Sequence, residues 1–581
     1  MITAFDYNSI RMNDSKVNDK IRETEEFYLS IPEDNFFKYL REDAGEDAPG
    51  EYYTGWFVGS RGVSLTGQWI SAFSRMYALT GNVAFKEKAI RFFEEFYRLT
   101  KKLEGTSKPT LTRKSFYPYE KLLRAICDLK IYCEYEEAAR WFPELLDFAE
   151  TTLSRDNILG DNTTEWYTMP ESLYSVWQIF GLEKAKELAK IWEYPEFWEL
   201  FYKNLDPFSR KPKAGLYSEF FHAYSHTNSM NSCAKAYEVT GDPRYLKTIR
   251  SFYRFMQSEE VMATGGYGPN FEHIMPKNRI IDALRTGHDN FETQCDTYAA
   301  FRLSKYLTEF TAEPDYGNWV ELLIWNAAVS TIPMTKDGKV IYYSDYNMYG
   351  AAKVNRADGW TCCTGTRPLL MVEIPRLIYF HDDSDLYISQ YIPSSVTWDR
   401  SGNCIQLTQS TDFPVKDEIC FEIKADAPAV YSLHFRLPAW LERKAELKVT
   451  NEADQELTVE CTVDKNGWLC VSREWNNGDR ICLALHQTVY MHSFDPALNG
   501  PNAFLHGPVV LAASYTGIQT PNDWMNIRKL LPKMKEVPEK PLHYTVDGID
   551  TICFKPFYEY EENERYFLYH DTTAHATDRF A

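Results

Sequence analysis

The spacing of apolar positions changes once along the chain, and that change divides it in two. From about residue 20 to residue 378 apolar side chains recur with a helical period. In "AFKEKAIRFFEEFYRLT", Phe85, Ala89, Phe92 and Phe96 fall at i, i+4, i+7 and i+11, which lays one apolar stripe along a helix. The segments "YALTGN" at 77–82 and "YEVTGD" at 237–242 share a Tyr-x-x-Thr-Gly ending. Gly81 and Gly241 can take the left-handed backbone that closes a helix, Asn82 and Asp242 can cap the next one, and Pro243 suits its first turn. Helices that stop and restart in this way over more than 300 residues predict stacked antiparallel pairs, as in an α/α toroid.

After about residue 380 the period becomes two. "AELKVT", "ELTVECTV", "GWLCVSREW" and "RICLALHQTVYM" alternate or carry β-rich residues, and the intervening "DKNG" and "NNGD" predict hairpin turns. This reads as an antiparallel β-sandwich, with Pro393 and the acidic "HDDSD" at 381–385 marking the crossover. The expected organisation is therefore multidomain: a helical domain over 1–380, a β-sandwich over 381–535, and an aromatic segment over 536–581 that packs back on the sandwich. A length of 581 residues exceeds what one hydrophobic core usually supports, which agrees with a large domain joined to a smaller one.

Charge narrows the partners. With 83 acidic against 63 basic residues and a net charge of −20, the chain has no electrostatic footprint for nucleic acid or an anionic membrane. No apolar run reaches the roughly 18 residues a membrane helix needs. The first twenty residues lack the charged start and apolar centre of a signal peptide, so a cytoplasmic location is expected. The 39 Tyr, 35 Phe and 15 Trp suit helix packing first and stacking on sugar rings second. Twelve Cys are too sparse for a disulfide scaffold and point to a reduced compartment. Cys127, Cys133 and Cys233 in helical stretches, and Cys404, Cys420, Cys461, Cys470, Cys482 and Cys553 in strand-like ones, are expected as small buried hydrophobes.

Three thiols stand apart from these. Cys362 and Cys363 are adjacent in "GWTCCTGTRP", and Cys295 lies in "NFETQCDTYAAFRL" three residues after Glu292. A set of three Cys and one Glu suits Zn²⁺, because thiolates are soft ligands that the metal keeps deprotonated. Neighbouring residues of a strand point to opposite faces, so the pair could share an ion only from a turn, which Thr364-Gly365 would supply. Buried, unreactive thiols are the plainer reading. In "ATGGYGPNFEHIMP", glycines at 265, 266 and 268 let the backbone approach something closely, and Glu272 follows as a candidate general acid or base, or simply a solvated carboxylate. His222 and His226 in "FFHAYSHTN" share a helical face and read either as substrate or metal contacts or as satisfied polar residues.

Taken in order, "GWFVGSRGVSLTGQWISAFSRMYALTGN", "TGGYGPNFE", "CDTYAAFRL", "CCTGT", "FRLPAW", "REWNNGD" and "LHGPVVLAA" resemble the zinc- and cysteine-dependent β-L-arabinofuranosidases, glycoside hydrolase families 127 and 146. The resemblance runs from near residue 20 to the C-terminus. It implies an (α/α)₆ barrel followed by an antiparallel β-sandwich, and a retaining exo-acting glycosidase. Cys362 would be the nucleophile and Glu272 the acid/base. Zinc would be held by Cys295, Cys362, Cys363 and Glu292, and His222, His226, Glu171 and Trp360 would contact the substrate glycoside. The chain departs from the family pattern at several points. Thr293 stands where a Glu-x-Cys glutamate is expected, Arg367-Pro368 alters the stretch after the cysteines, "WYTMPE" replaces a Gly-Gly-Met-Asn-Glu element, and Tyr224-Ser225 replaces Asn-Thr. Two other readings keep the fold: a metal-independent barrel enzyme acting on carbohydrate as hydrolase, lyase or epimerase, and a sugar-binding relative without catalysis.

Overall fold

A computed structural model describes residues 1–112, 115–155, 165–209, 220–288, 291–334, 344–353, 359–497, 500–515 and 530–570. Six helices form an inner ring: Val63–Thr80, Phe116–Cys133, Met169–Phe180, Ala223–Thr240, Gln294–Thr311 and Cys362–Glu373. Each packs on the next, and the last packs on the first, so the ring closes. Outside it run Lys16–Ser30, Val83–Leu103, Phe142–Thr151, Glu183–Ile191, Pro243–Phe255 and Tyr316–Leu323, giving the expected (α/α)₆ barrel. The inner helices are buried on nearly all sides, whereas an outer helix buries one stripe; Phe85, Ala89, Phe92 and Phe96 are all at 1% exposure or less. The predicted caps form. Gly81 and Gly241 have φ of 70° and 69°, and the side chains of Asn82 and Asp242 accept from the N–H groups of Ala84 and Arg244.

The β-rich half holds two facing sheets. One has six strands, Thr3–Ala4, Tyr379–His381, Leu386–Ile388, Ala429–Phe435, Leu469–Trp475 and Thr462–Val463 in spatial order. The other has seven, Glu456–Leu457, Glu446–Thr450, Arg480–Ala484, Glu418–Ala425, Asn403–Thr411, Ser394–Arg400 and Ile10–Met12. Alternate side chains such as Ile405, Leu407, Ile419, Phe421, Leu433 and Phe435 fill the space between them. "DKNG" closes a hairpin as expected, with Asp464 Oδ1 accepting from the N–H groups of Asn466, Gly467 and Trp468. "NNGD" does something else: it carries the chain from one sheet to the other.

A third, six-stranded sheet spans Val489–Ser493 to Ile549–Pro556, so strands on both sides of residue 535 share it. The aromatic segment after it packs between this sheet and the barrel: Phe557, Tyr566 and Tyr569 share a core with Ile280, Phe291 and Tyr346 on one side and Leu505, Val510 and Ala512 on the other. Residues 571–581 lie outside the described residues. Among the described residues no helix is long and apolar enough to cross a membrane.

The cysteine expectations divide. Cys127, Cys133 and Cys233 are buried free thiols, but Cys404, Cys461 and Cys553 are exposed. Cys420 and Cys482 form a disulfide instead of two separate buried thiols. They face each other in register on adjacent antiparallel strands, with Cα atoms 4.2 Å apart, which brings their side chains within bonding reach.

Candidate active site

The N-terminal ends of five inner helices supply the chemistry. Tyr117 belongs to the first turn of Phe116–Cys133, Glu165 lies just before Met169–Phe180, and His222 is the N-cap of Ala223–Thr240. Thr293 caps Gln294–Thr311, with Cys295 in its first turn, and Cys362 and Cys363 open Cys362–Glu373. Helix N-termini present unpaired N–H groups and positive dipole ends, so this mouth of the barrel favours anions.

Cys295 Sγ lies 3.6 Å from Cys362 Sγ and 3.5 Å from Cys363 Sγ. Among the described residues this is the buried group of thiols whose ligand atoms are mutually close enough to hold a metal. A tetrahedral ion with bonds of about 2.3 Å needs sulfurs about 3.8 Å apart, so the donor type and spacing suit zinc. The adjacent cysteines reach this arrangement from the first turn of a helix, not from the isolated turn expected at Thr364-Gly365. Pro368 and Arg367 sit inside the same helix, and the fully buried Arg367 guanidinium donates to Thr331 Oγ1 at 2.6 Å. Burial pushes the Cys295 and Cys363 thiols well up; both neighbouring sulfurs add to it at Cys295, while at Cys363 the Cys362 sulfur adds and the bond with Cys295 opposes it. Cys362 is 7% exposed and Cys363 fully buried, so of the adjacent pair only Cys362 retains any exposure.

Glu272 stands at the end of a single helical turn, Pro269–Glu272, with φ of +62°. The next residue, His273, pairs in register with His222, and this two-residue ladder brings the Glu272 carboxylate beside the imidazole. Ser225 N–H donates to His222 Nδ1 at 3.2 Å, which leaves the ring proton on Nε2, 3.5 Å from Glu272 Oε2. Burial pulls the His222 pKa down, but the Glu272 and Glu165 carboxylates more than offset it and the net shift is upward. The other oxygen, Glu272 Oε1, accepts from Thr293 Oγ1 at 3.0 Å. On the far side of His222, Glu165 Oε1 lies 3.9 Å from Nδ1. Burial pushes the Glu165 carboxyl up to about 7, and the charges of His222 and Lys121 resist that rise. Glu165 also has positive φ, 47°, so both mouth carboxylates occupy strained backbone of the kind that tertiary structure must hold in place.

The family model described as "Beta-L-arabinofuranosidase, GH127 catalytic domain" matches residues 9–373, and the GH127 middle-domain model matches 385–487. The chain belongs to the GH127 family. It is a glycoside hydrolase. The GH127 β-L-arabinofuranosidase Ara127N from Geobacillus stearothermophilus T6 superposes with a TM-score of 0.70 at 15% identity, over 96% of this chain and 99% of that one. A second GH127 β-arabinofuranosidase gives a TM-score of 0.71 at 13% identity, over 98% and 97%. No curated protein matches the sequence.

Against the GH127 expectation, four named residues are placed elsewhere. Glu292 does not join the thiols: its Oε2 accepts from Thr264 Oγ1 at 3.0 Å, in a niche where a Cβ on Gly266 would come within 1.5 Å of that oxygen. Burial pushes its carboxyl up to about 7, partly offset by the hydroxyls of Tyr346, Thr264 and Ser344. Thr293 takes the capping position next in sequence, so Glu292 precedes the helix and faces the Gly266 loop instead. Glu171 is held deeper in the barrel by Arg302 and by Tyr306, whose hydroxyl donates at 3.0 Å. Trp360 is fully buried, stacked on Tyr53 with ring centroids 4.2 Å apart, and offers no face to a sugar. His226 is wedged among Tyr167, Phe197 and Phe221, bonds His222 O through Nδ1 at 2.8 Å, and is kept neutral by burial that lowers its pKa to about 3.

Cys295, Cys362 and Cys363 come together, and Glu272 meets His222 and the Thr293 cap two residues before Cys295. Sequence reasoning passed over Glu165 and Tyr117, and named Thr293 and Tyr224 only as departures from the family pattern. A tyrosine directly before Pro118 in a helix's first turn, or a glutamate after "DNTT", carries no local mark of function; only the convergence of helix ends reveals them.

Proposed function

We propose that this enzyme is a retaining exo-acting β-L-arabinofuranosidase with Cys362 as nucleophile and Glu272 as acid/base. The observation that carries the reading is a cluster of three buried thiols together with a buried carboxylate, Glu272, that accepts from Thr293, two residues before Cys295, and lies 3.5 Å from His222 Nε2. Cys295, Cys362 and Cys363 would hold zinc, and bound zinc would keep the sulfurs ionised against the burial that otherwise protonates them. The Cys362 sulfur attacks the anomeric carbon while Glu272 gives its proton to the departing glycosidic oxygen. Glu272 then takes a proton from water, which displaces the sulfur and restores the enzyme with retained configuration. His222 Nε2–H fixes one oxygen of Glu272 through both steps.

Purified protein should carry close to one zinc per chain and release L-arabinose from 4-nitrophenyl β-L-arabinofuranoside. Cys363→Ala should lose the metal, as read by elemental mass spectrometry, and activity with it. Full turnover after verified alkylation of Cys362 would remove the sulfur mechanism. The presence of Glu165 and Glu272 on either side of His222 favours one second reading, a metal-free pair of carboxylates. It predicts zinc-free activity that survives Cys362→Ser and vanishes in Glu165→Gln.

A further inference from the structure

We infer that Thr293 is a positioning residue for the acid/base: its hydroxyl tethers Glu272 to the start of the helix that carries Cys295. This rests on the reading of Glu272 as acid/base given above. Thr293 is 2% exposed and caps Gln294–Thr311, its Oγ1 accepting from Asp296 N at 3.2 Å while the Asp296 side chain answers the Thr293 N–H at 3.2 Å. A capping box of this kind needs the hydroxyl only as an acceptor. Its one proton is left over, and two carboxylate oxygens lie within reach of it, Glu272 Oε1 at 3.0 Å and Asp296 Oδ2 at 2.9 Å. The cap explains Asp296; it does not explain Glu272, which belongs to a different loop 21 residues earlier.

The geometry makes the helix end a fixed reference for the carboxylate. A β-branched side chain has few χ1 choices, so the rotamer that caps the helix also decides where the hydroxyl meets Glu272. Cys295 follows two residues later in the same turn, bonded to the other thiols at 3.5–3.6 Å. One turn of helix thus fixes the group that protonates the leaving oxygen relative to Cys295, whose sulfur in turn touches that of the nucleophile Cys362. Glu272 needs such a hold, since its backbone is at φ +62° on a single-turn helix with little rigidity of its own.

The test compares two leaving groups in one protein. The wild type, Thr293→Val and Thr293→Ser are assayed for kcat/KM on methyl and on 4-nitrophenyl β-L-arabinofuranoside, with zinc content measured on each sample. Methanol needs protonation to depart; nitrophenolate barely does. Thr293→Val should lower kcat/KM on the methyl glycoside by about 10²-fold and on the nitrophenyl glycoside by less than about 5-fold, with zinc retained. Thr293→Ser should restore both. The ratio between substrates does not depend on how much of the variant is folded. Equal losses on the two substrates, or none on either, would overturn the tether. A wild type inert on both would overturn the arabinofuranosidase reading itself, and the tether with it.

Discussion

Two levels of the same barrel interior handle buried polarity differently. Deep in the ring, Arg75 donates to Asp128 at 2.9 Å and to Tyr298 at 3.1 Å, and lies 3.4 Å from Glu373, which Lys305 also contacts. Arg124 lies 3.2 Å from Asp128, so each charge there faces an opposite one. At the mouth, by contrast, the hydroxyls of Tyr117 and Tyr224 and the Oε2 of Glu165 are buried with no hydrogen-bond partner among the described residues. Buried polar groups are ordinarily satisfied, and an orphan is destabilising by about 1–3 kcal/mol. The lower level holds the ring together through complementary charge. Unbonded polar atoms occur at both levels, but Arg124 Nε and Asp128 Oδ1 below face an opposite charge, whereas the Tyr117 and Tyr224 hydroxyls above are neutral groups left unspent, as a surface built to receive a polar ligand would leave them.

The sharpest way to break this contrast is to remove the reacting groups. Cys362→Ser should reduce turnover by at least about 10³-fold while the thermal midpoint stays close to wild type, and Glu272→Gln should follow the same pattern with a smaller loss on nitrophenyl substrates. A large drop in midpoint for either would mean that the mouth is structural after all. Arg75→Met is the converse experiment. It leaves Asp128 and Glu373 with less compensation in a dry interior and should lower unfolding free energy by about 3–5 kcal/mol, with kcat per folded molecule little changed.

A finer separation comes from pH. Burial pushes Glu292, beside the mouth, up to about 7, so its folded-state pKa lies above the unfolded one. Its stabilising contribution is complete below the ordinary carboxylate value near 4.3 and is lost as pH rises through about 7. Glu373 behaves oppositely. Burial works to raise it, but Lys305, Arg75 and Arg376 outweigh burial and hold it well below the usual range, so its contribution is present above the unfolded value and lost only in strong acid. Between pH 5 and 8 the Glu373 contribution should therefore stay flat while the Glu292 contribution declines. Glu292→Gln should flatten the decline in chemically measured unfolding free energy by up to about 3 kcal/mol, and an unchanged slope would show that this carboxyl does not titrate there.

The sequence pattern carried the barrel and the sandwich because both rest on local signals. The period of apolar positions, the Gly81–Asn82 and Gly241–Asp242 caps and the Asp464 turn need no knowledge of distant residues. The three thiols and Glu272 were reached through ordered motifs that survive as short words. What escaped depends on pairing across the fold. Glu171 looks like a pocket residue until Arg302, 131 positions away, is seen to hold it. Trp360 sits next to the cysteines in sequence, yet Tyr53 covers its face. Thr293 was noted only as a missing glutamate, because nothing local shows that its hydroxyl meets a loop carboxylate. Cys420 and Cys482 read as strand hydrophobes, since their alignment depends on register between strands 62 residues apart.

The first dozen residues bear on how the protein is made. Thr3–Ala4 and Ile10–Met12 are outermost strands, one on each sandwich sheet, paired to Phe380–His381 and Ser394–Val396. They are made well ahead of partners more than 370 residues downstream, with the barrel helices in between. Until then Tyr379–His381 and Ser394–Arg400 have uncapped edges, the places where one nascent chain most readily adheres to another. Removing residues 1–15 would keep every barrel helix and every proposed catalytic group, and would still turn two covered sandwich edges into sticky ones.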